Sequence, residues 1–213
     1  MSNVNDLDFG KIKVNVGIDA STKCTGYSIF DQNKKLLKYG QFKPKTTLTT
    51  LEKIEYVATE VSKLLLDIES INKIEKIIIE DIFLGCFRGK NQVLGFANLA
   101  RLSGAIIVVS IFATGREVED IITLRGANVA RPIAGLKGNC QKAHVQVWFL
   151  KMFTEIDTNV YEGLIEAIEA KKNIKDIDQK EYRKRMDMVS KLIEEETSIS
   201  EDIADATLLG YGA

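Results

Sequence analysis

The stretch VNVGIDASTKCTGYSIF, residues 14–30, limits what this chain can become more than any other part of it. Val14, Val16 and Ile18 fall on one side of an extended chain, with Lys13, Asn15 and Gly17 on the other. Asp19 closes this strand, and Ser21 and Thr22 follow it. Thr25 to Phe30 then reads as a second short strand, in which Gly26 admits close approach of backbone or ligand. A carboxylate at the end of a hydrophobic strand has a rigid base and an open front, which is how metal-dependent sites are commonly held. Taken alone, Asp19 also reads as an ordinary turn opener. The rest of the chain decides between the two.

Lys35 to Phe42 reads as a third strand, reached through the turn Asp31-Gln32-Asn33. From Thr50 to about Ser70 the apolar positions Leu51, Ile54, Val57, Val61, Leu64, Leu65 and Ile68 recur at helical spacing. Lys76 to Ile82 (KIIIEDI) is an apolar run suited to a strand buried on both faces, interrupted by Glu80. Arg88 to Thr114 is a long helix, apolar almost all round, with small residues such as Gly95, Ser103 and Gly104. It is either central to the core or shared with a partner subunit. Asp120 to Leu124 fits a fifth strand. Asn139 to Phe153 fits a helix with Val145, Trp148, Phe149 and Met152 inward.

Residues 154–199 are densely charged but keep two apolar stripes, Tyr161-Leu164-Ile165-Ile168 and Tyr182-Met186-Val189-Ile193, so two surface helices are expected. A last helix begins near Ser200. Three strands on short connections, followed by crossovers, predict an α/β fold: a mixed five-stranded sheet flanked by helices, with an added charged helical segment near the C-terminus. At 213 residues the chain is expected to form one domain, 1–213, with 154–199 as an insertion within it.

Charge bears on function through its distribution. The net charge is −1, from 29 Lys+Arg against 30 Asp+Glu, which argues mildly against a nucleic-acid binder. Residues 86–142, however, carry Arg88, Lys90, Arg101, Arg116, Arg125, Arg131, Lys137 and Lys142 against Glu117, Glu119 and Asp120 alone. Cys24, Cys86 and Cys140 lie far apart, so a disulfide framework or zinc site is not expected, and a reducing cytoplasm fits. The longest apolar run, near Ala105 to Ala113, falls short of a membrane span, and the polar N-terminus does not resemble a secretory signal.

Three places supply candidate acids: Asp19, Glu80 with Asp81, and Glu201-Asp202-x-x-Asp205. Adjacent strand residues face opposite ways, so only one of Glu80 and Asp81 can serve a given site. A carboxylate amid the Ile77–Ile82 run costs several kcal/mol to bury unpaired, on the order expected for charge in apolar surroundings. Asp202 and Asp205 share one helix face. Read singly, the helix acids fit the dipole at a helix start, with Ser198-x-x-Glu201 as a capping box. Read together, with few counter-charges near them in sequence, hard oxygen donors suit Mg²⁺ or Mn²⁺. His144 reads as structural.

The segments GIDASTKCTGYSIF, IIIEDIF and EDIADATLLGYG, in that order, resemble the RuvC family of Holliday junction resolvases, particularly its bacteriophage-encoded members. The resemblance covers most of residues 13–153 and 200–212. It implies an RNase H-like fold and a homodimer that nicks four-way DNA junctions, with two Mg²⁺ ions per active site (Mn²⁺ substituting). It also implies a location in the cytoplasm, that of a bacterial host if phage-encoded. Carried over by position, the metal-binding and catalytic acids are Asp19, Glu80, Asp202 and Asp205, with Lys142 as a further catalytic residue. The aromatic that stacks at the junction is Phe83, and Arg131 and Lys142 are the basic residues near the cut phosphate. Arg88 and Lys90, flanking Phe83 in sequence, add phosphate contacts. The charged segment is longer than the family carries, and Arg131 stands where the family more often has Lys.

Two other classes share parts of this pattern. Actin-like ATPases and sugar kinases also place a Ser/Thr-rich turn after a strand with an Asp, but they need a duplicated second half that is not seen here. A branched-DNA-binding protein without turnover would keep the fold alone.

Overall fold

The structure is a computed structural model and describes residues 11–81 and 90–212, with the side chains of 90–92 excepted. Its centre is a five-stranded sheet in the order β3-β2-β1-β4-β5. The strands are β1 (Lys13–Asp19), β2 (Thr25–Asp31), β3 (Leu36–Phe42), β4 (Lys73–Glu80) and β5 (Ile122–Arg125). β1, β2 and β3 form an antiparallel meander, while β4 and β5 run parallel to β1. The mixed sheet expected from the order of elements is the one found.

One face of the sheet is aliphatic. Val14, Val16 and Ile18 of β1 and Ile74, Ile77 and Ile79 of β4 pack under α1 (Thr50–Ile71), whose Val57, Val61 and Leu65 are fully buried. A register shift between Val14 and Asn15 skips Glu75, which is how Ile74 and Ile77 come to share a face. Thr49 caps α1 in a reciprocal box with Glu52. α2 (Lys90–Thr114) lies on α1 and buries Leu102 and Ile106.

The opposite face receives α8 (Glu201–Tyr211), backed by α5 (Lys142–Phe153) and then by α6 (Asn159–Asn173) and α7 (Gln179–Thr197). α8 sits directly on backbone. A Cβ on Gly17 would stand 2.2 Å from the Ala206 carbonyl oxygen, and one on Gly26 would stand 1.9 Å from that of Asp202. Only glycine permits that approach. Ser28 Oγ donates to the Ala206 carbonyl at 2.9 Å, and Arg125 Nη1 to that of Leu209 at 3.2 Å. At the far end Tyr211 packs edge-on against Phe30 and Trp148, with ring centroids 6.0 and 5.5 Å apart. At the near end Ser200 caps the helix and donates to Gln41 Oε1 at 2.7 Å.

Several expectations are corrected. β4 begins at Lys73 and stops at Glu80, so Glu80 ends the strand instead of interrupting it. The DIITL segment divides into a short helix, α3 (Val118–Ile121), and β5, and it is followed by α4 (Ala127–Ile133). The cap of α8 is Ser200; Ser198 instead ends α7 in a left-handed conformation, φ 61°. Met152 points outward. α2 is not central to the core, since Val93, Leu94 and Phe112 are exposed. Residues 93–114 are also long and apolar enough to cross a membrane, contrary to the sequence estimate, although one face of that helix is covered by α1.

Candidate active site

The alternation that buries Ile18 and Ile79 on the α1 side turns Asp19 and Glu80 to the α8 side. Ile18 is paired with Ile79, so the next residues of the two parallel strands stand side by side. The Asp19 carboxyl therefore faces Glu80, whose charge is among the causes that raise its pKa. Asp81, the next residue, is exposed and faces away.

α8 brings the other two acids. Its N-terminus is pressed against Gly26, the partner of Asp19 across the β1–β2 pair, and this sets Asp202 and Asp205 over the ends of β1 and β4. Burial, then the charges of Asp205 and Glu80, hold the Asp19 carboxyl well above the ordinary aspartate range. Burial also pushes Asp205 up to about 7, with Arg131 opposing the rise and Glu80 and Glu201 adding to it. Asp202 is raised as well, chiefly by burial, while the neighbouring Cys24 thiol works the other way.

Arg131 and Lys142 provide the counter-charges that sequence spacing did not reveal. Arg131 lies with Nη2 3.9 Å from Asp205 Oδ1, beyond hydrogen-bonding reach. Its Nη1 donates to the carbonyls of Gly138 and Cys140, at 3.4 and 3.1 Å, which fixes it to the 134–141 loop. Lys142, at the start of α5, is hydrogen-bonded to Glu201. Burial works against its charge, but Glu201 and the nearby Asp205 and Asp202 outweigh that and raise it above the usual lysine value. Glu201, among the candidate acids but outside the metal set, is the partner of Lys142. Its only sequence signal was its place one turn from Asp205.

Cys24 and Gln41 were also not anticipated. The Cys24 thiol donates to Gln41 Oε1 at 3.1 Å, and burial beside Asp202 pushes it far above the ordinary thiol range. Cys24 thus lines the site beside Asp202. His144 is structural as expected: Nδ1 accepts from the Gln141 amide and Nε2 lies 3.1 Å from Glu169. Phe83 and Arg88 lie outside the described residues, and Lys90 opens α2.

The donor set suits a hard divalent cation. Asp205 Oδ1 is buried without any hydrogen-bond partner, and the repulsion among the four acids is the kind that a bound cation relieves. As placed, no three acidic, histidine or cysteine side chains among the described residues close around one point.

No known family model matches the sequence, and no curated protein matches it. Solved structures do. Over 93% of this chain and 92% of the other, it superposes on Thermus thermophilus RuvC with a TM-score of 0.54 at 14% identity. On T. thermophilus RuvC in complex with a Holliday junction substrate the TM-score is 0.56 at 13% identity, covering 94% and 91%. The chain thus has a RuvC-like fold, the RNase H-like mixed sheet flanked by helices.

Proposed function

We propose that this chain is a structure-selective DNA endonuclease that resolves four-way junctions and related branched DNA by divalent-metal-dependent phosphodiester hydrolysis. The observation that carries this reading is the gathering of Asp19, Glu80, Asp202 and Asp205, from three separate elements, on one face of a RuvC-like sheet. The four carboxylates would hold the metal. When bound, a pair of Mg²⁺ or Mn²⁺ ions supplies an activated water and charge stabilisation for the leaving 3′-oxygen.

The protein's own groups do the rest. Arg131, tethered through two carbonyls beside Asp205, presents a fixed positive charge to the phosphate. Lys142 supplies a second once its contact with Glu201 is exchanged for a phosphate oxygen. Cys24 and Gln41 hold the Ser200 end of α8 and so position Asp202. Phe83, by the resemblance, stacks on an unpaired base, and Arg88 and Lys90 contact phosphates beside it. Neither mode reads base edges, so shape outweighs sequence in substrate choice. Two symmetric nicks require a homodimer, for which the exposed apolar side of α2 (Val93, Leu94, Phe112) is the natural contact. An ATPase of the actin-like class is disfavoured, because the described fold has one sheet and one acidic site.

The test is Mg²⁺-dependent nicking of a synthetic four-way junction, beside a fork, a linear duplex and a nucleotide hydrolysis control. The reading expects nicks in the junction and fork only. Nucleotide turnover, or an intact junction in both Mg²⁺ and Mn²⁺, removes it.

A further inference from the structure

Helices α6 and α7 carry no part of the chemistry described so far, yet they wall a cavity of about 560 Å³ next to it. Its other walls are the 135–141 loop and His144 of α5. Three cations reach it: Lys137 from the loop, Lys172 from α6 and Arg183 from α7. All three are exposed, and none has a carboxylate partner among the described residues. Glu169, the one carboxylate in the lining, is already engaged by His144 Nε2 at 3.1 Å. Lys172 Nζ is held 4.0 Å above the ring of buried Tyr182, which orients it without neutralising it.

The place of the cavity matters as much as its charge. The loop that lines it supplies the Gly138 and Cys140 carbonyls that anchor Arg131, and Arg131 lies beside Asp205. The 135–141 loop thus touches both the cavity and, through Arg131, the acidic site. On its outer side Arg183 continues into a groove along α7 that presents Lys180, Lys184 and Lys191 against Asp187 alone. Open, polar and cationic surroundings of this kind suit phosphate oxygens and not an apolar ligand.

We propose that this cavity and the basic side of α7 bind the phosphodiester backbone of a DNA arm flanking the acidic site. This side of residues 154–199, a segment that carries twelve acids against eight bases overall, then acts as a grip on phosphates. The assignment rests on the reading that the acidic site acts on DNA.

A second basic cavity provides the comparison. It measures about 720 Å³ and is lined by Lys34, Lys35 and Lys38, at the β2–β3 turn. That turn lies at the opposite end of the strands from Asp19.

The experiment uses the full chain as wild type, as Lys137→Ala/Lys172→Ala/Arg183→Ala, and as Lys34→Ala/Lys35→Ala/Lys38→Ala. Binding to a fluorescent four-way junction is measured across a salt series without Mg²⁺, and nicking is measured with it. The first triple is expected to lose about tenfold or more in affinity and to flatten the salt dependence by up to about 2.7 in log–log slope, three phosphate contacts' worth. The second triple should change each by less. A charge-keeping variant, Lys172→Arg/Arg183→Lys, should bind as wild type, which separates charge from packing. Wild-type affinity and slope in the first triple, or equal losses in both triples, overturn the proposal. A flattened slope in the first triple of a protein that never nicks supports the phosphate grip and removes the nuclease reading. Nicking by wild type with an unchanged slope in the first triple does the reverse.

Discussion

On the α1 side of the sheet, Val14, Val16, Ile18, Ile77 and Ile79 meet a helix through aliphatic side chains with no polar group among them. On the α8 side the same two central strands present Gly17, Asp19 and Glu80, and the helix meets them through bare backbone. The first face is bought by apolar burial alone. The second brings Asp202 and Asp205 close by removing side chains, and it tolerates carboxylates that raise one another's pKa. The difference teaches that stability and chemistry are divided between opposite faces of one pair of strands, one residue apart.

The largest effect that should break this division comes from a side chain at the closest approach. Gly26→Val would drive a β-branched residue into the Asp202 carbonyl, which is backbone and cannot turn aside. We expect a destabilisation of about 3 kcal/mol or more, with nicking abolished, read by denaturant unfolding and the junction assay. Ile77→Ala, on the other face, should cost about 2–4 kcal/mol yet leave nicking per folded molecule intact. Loss of nicking in Ile77→Ala at a temperature where it remains folded would erase the contrast between the faces.

A smaller effect has the opposite sign. Because the folded-state pKa of Asp205 is raised, the folded protein binds more protons than the unfolded chain between the unfolded value and about 7. The contribution to stability is therefore fully present at low pH and is lost as pH rises through that window, the reverse of a salt-bridged acid. Asp205→Asn should stabilise the metal-free protein by about 1–3 kcal/mol at pH 8 and flatten this dependence while eliminating nicking. Thermal unfolding from pH 5 to 8 without divalent ions checks it. A wild type whose stability climbs over that range would contradict the reading. Smallest is Glu201→Gln, which frees Lys142 and should change nicking only a few-fold; loss as complete as in Asp205→Asn would make Glu201 a fifth essential acid.

Much of this arrangement was legible in the sequence, because strand alternation is a strong local signal. The alternation in β1 put Asp19 on the side away from Val16 and Ile18, whereas the unbroken Ile77–Ile79 run gave Glu80 no face until its pairing with β1 did so. The start of β4 was hidden because Lys73, Glu75 and Lys76 look like a loop. In the fold Lys13 pairs with Glu75 at 3.4 Å and Lys76 Nζ donates to the Asp120 carbonyl at 2.8 Å, which satisfies that polar stretch as strand. The cap of α8 was misplaced by two residues, since Ser198-x-x-Glu201 fits the capping-box pattern while Ser200, the actual cap, does not. The fold separates them: Ser198 takes the left-handed conformation that ends α7, and Ser200 is bonded to Gln41 across 159 positions of sequence. The same holds for Glu201 with Lys142 and for Arg131 with Asp205, where no local spacing encodes the contact. Met152 shows the limit of periodicity, since it keeps helical phase with Trp148 yet projects outward at the end of α5.

The central claim is that the four acids of the α8 face hold divalent metal in place of protons. Calorimetric titration of Mg²⁺ into the wild-type protein at pH 7, in two buffers of different ionisation enthalpy, tests it most directly. The account predicts binding with release of about one proton, drawn from the raised acids Asp205 and Asp19, and a marked loss of both heat and proton release in Asp205→Asn. Absence of Mg²⁺ binding, or binding that releases no proton and is unaltered in Asp205→Asn, would contradict it.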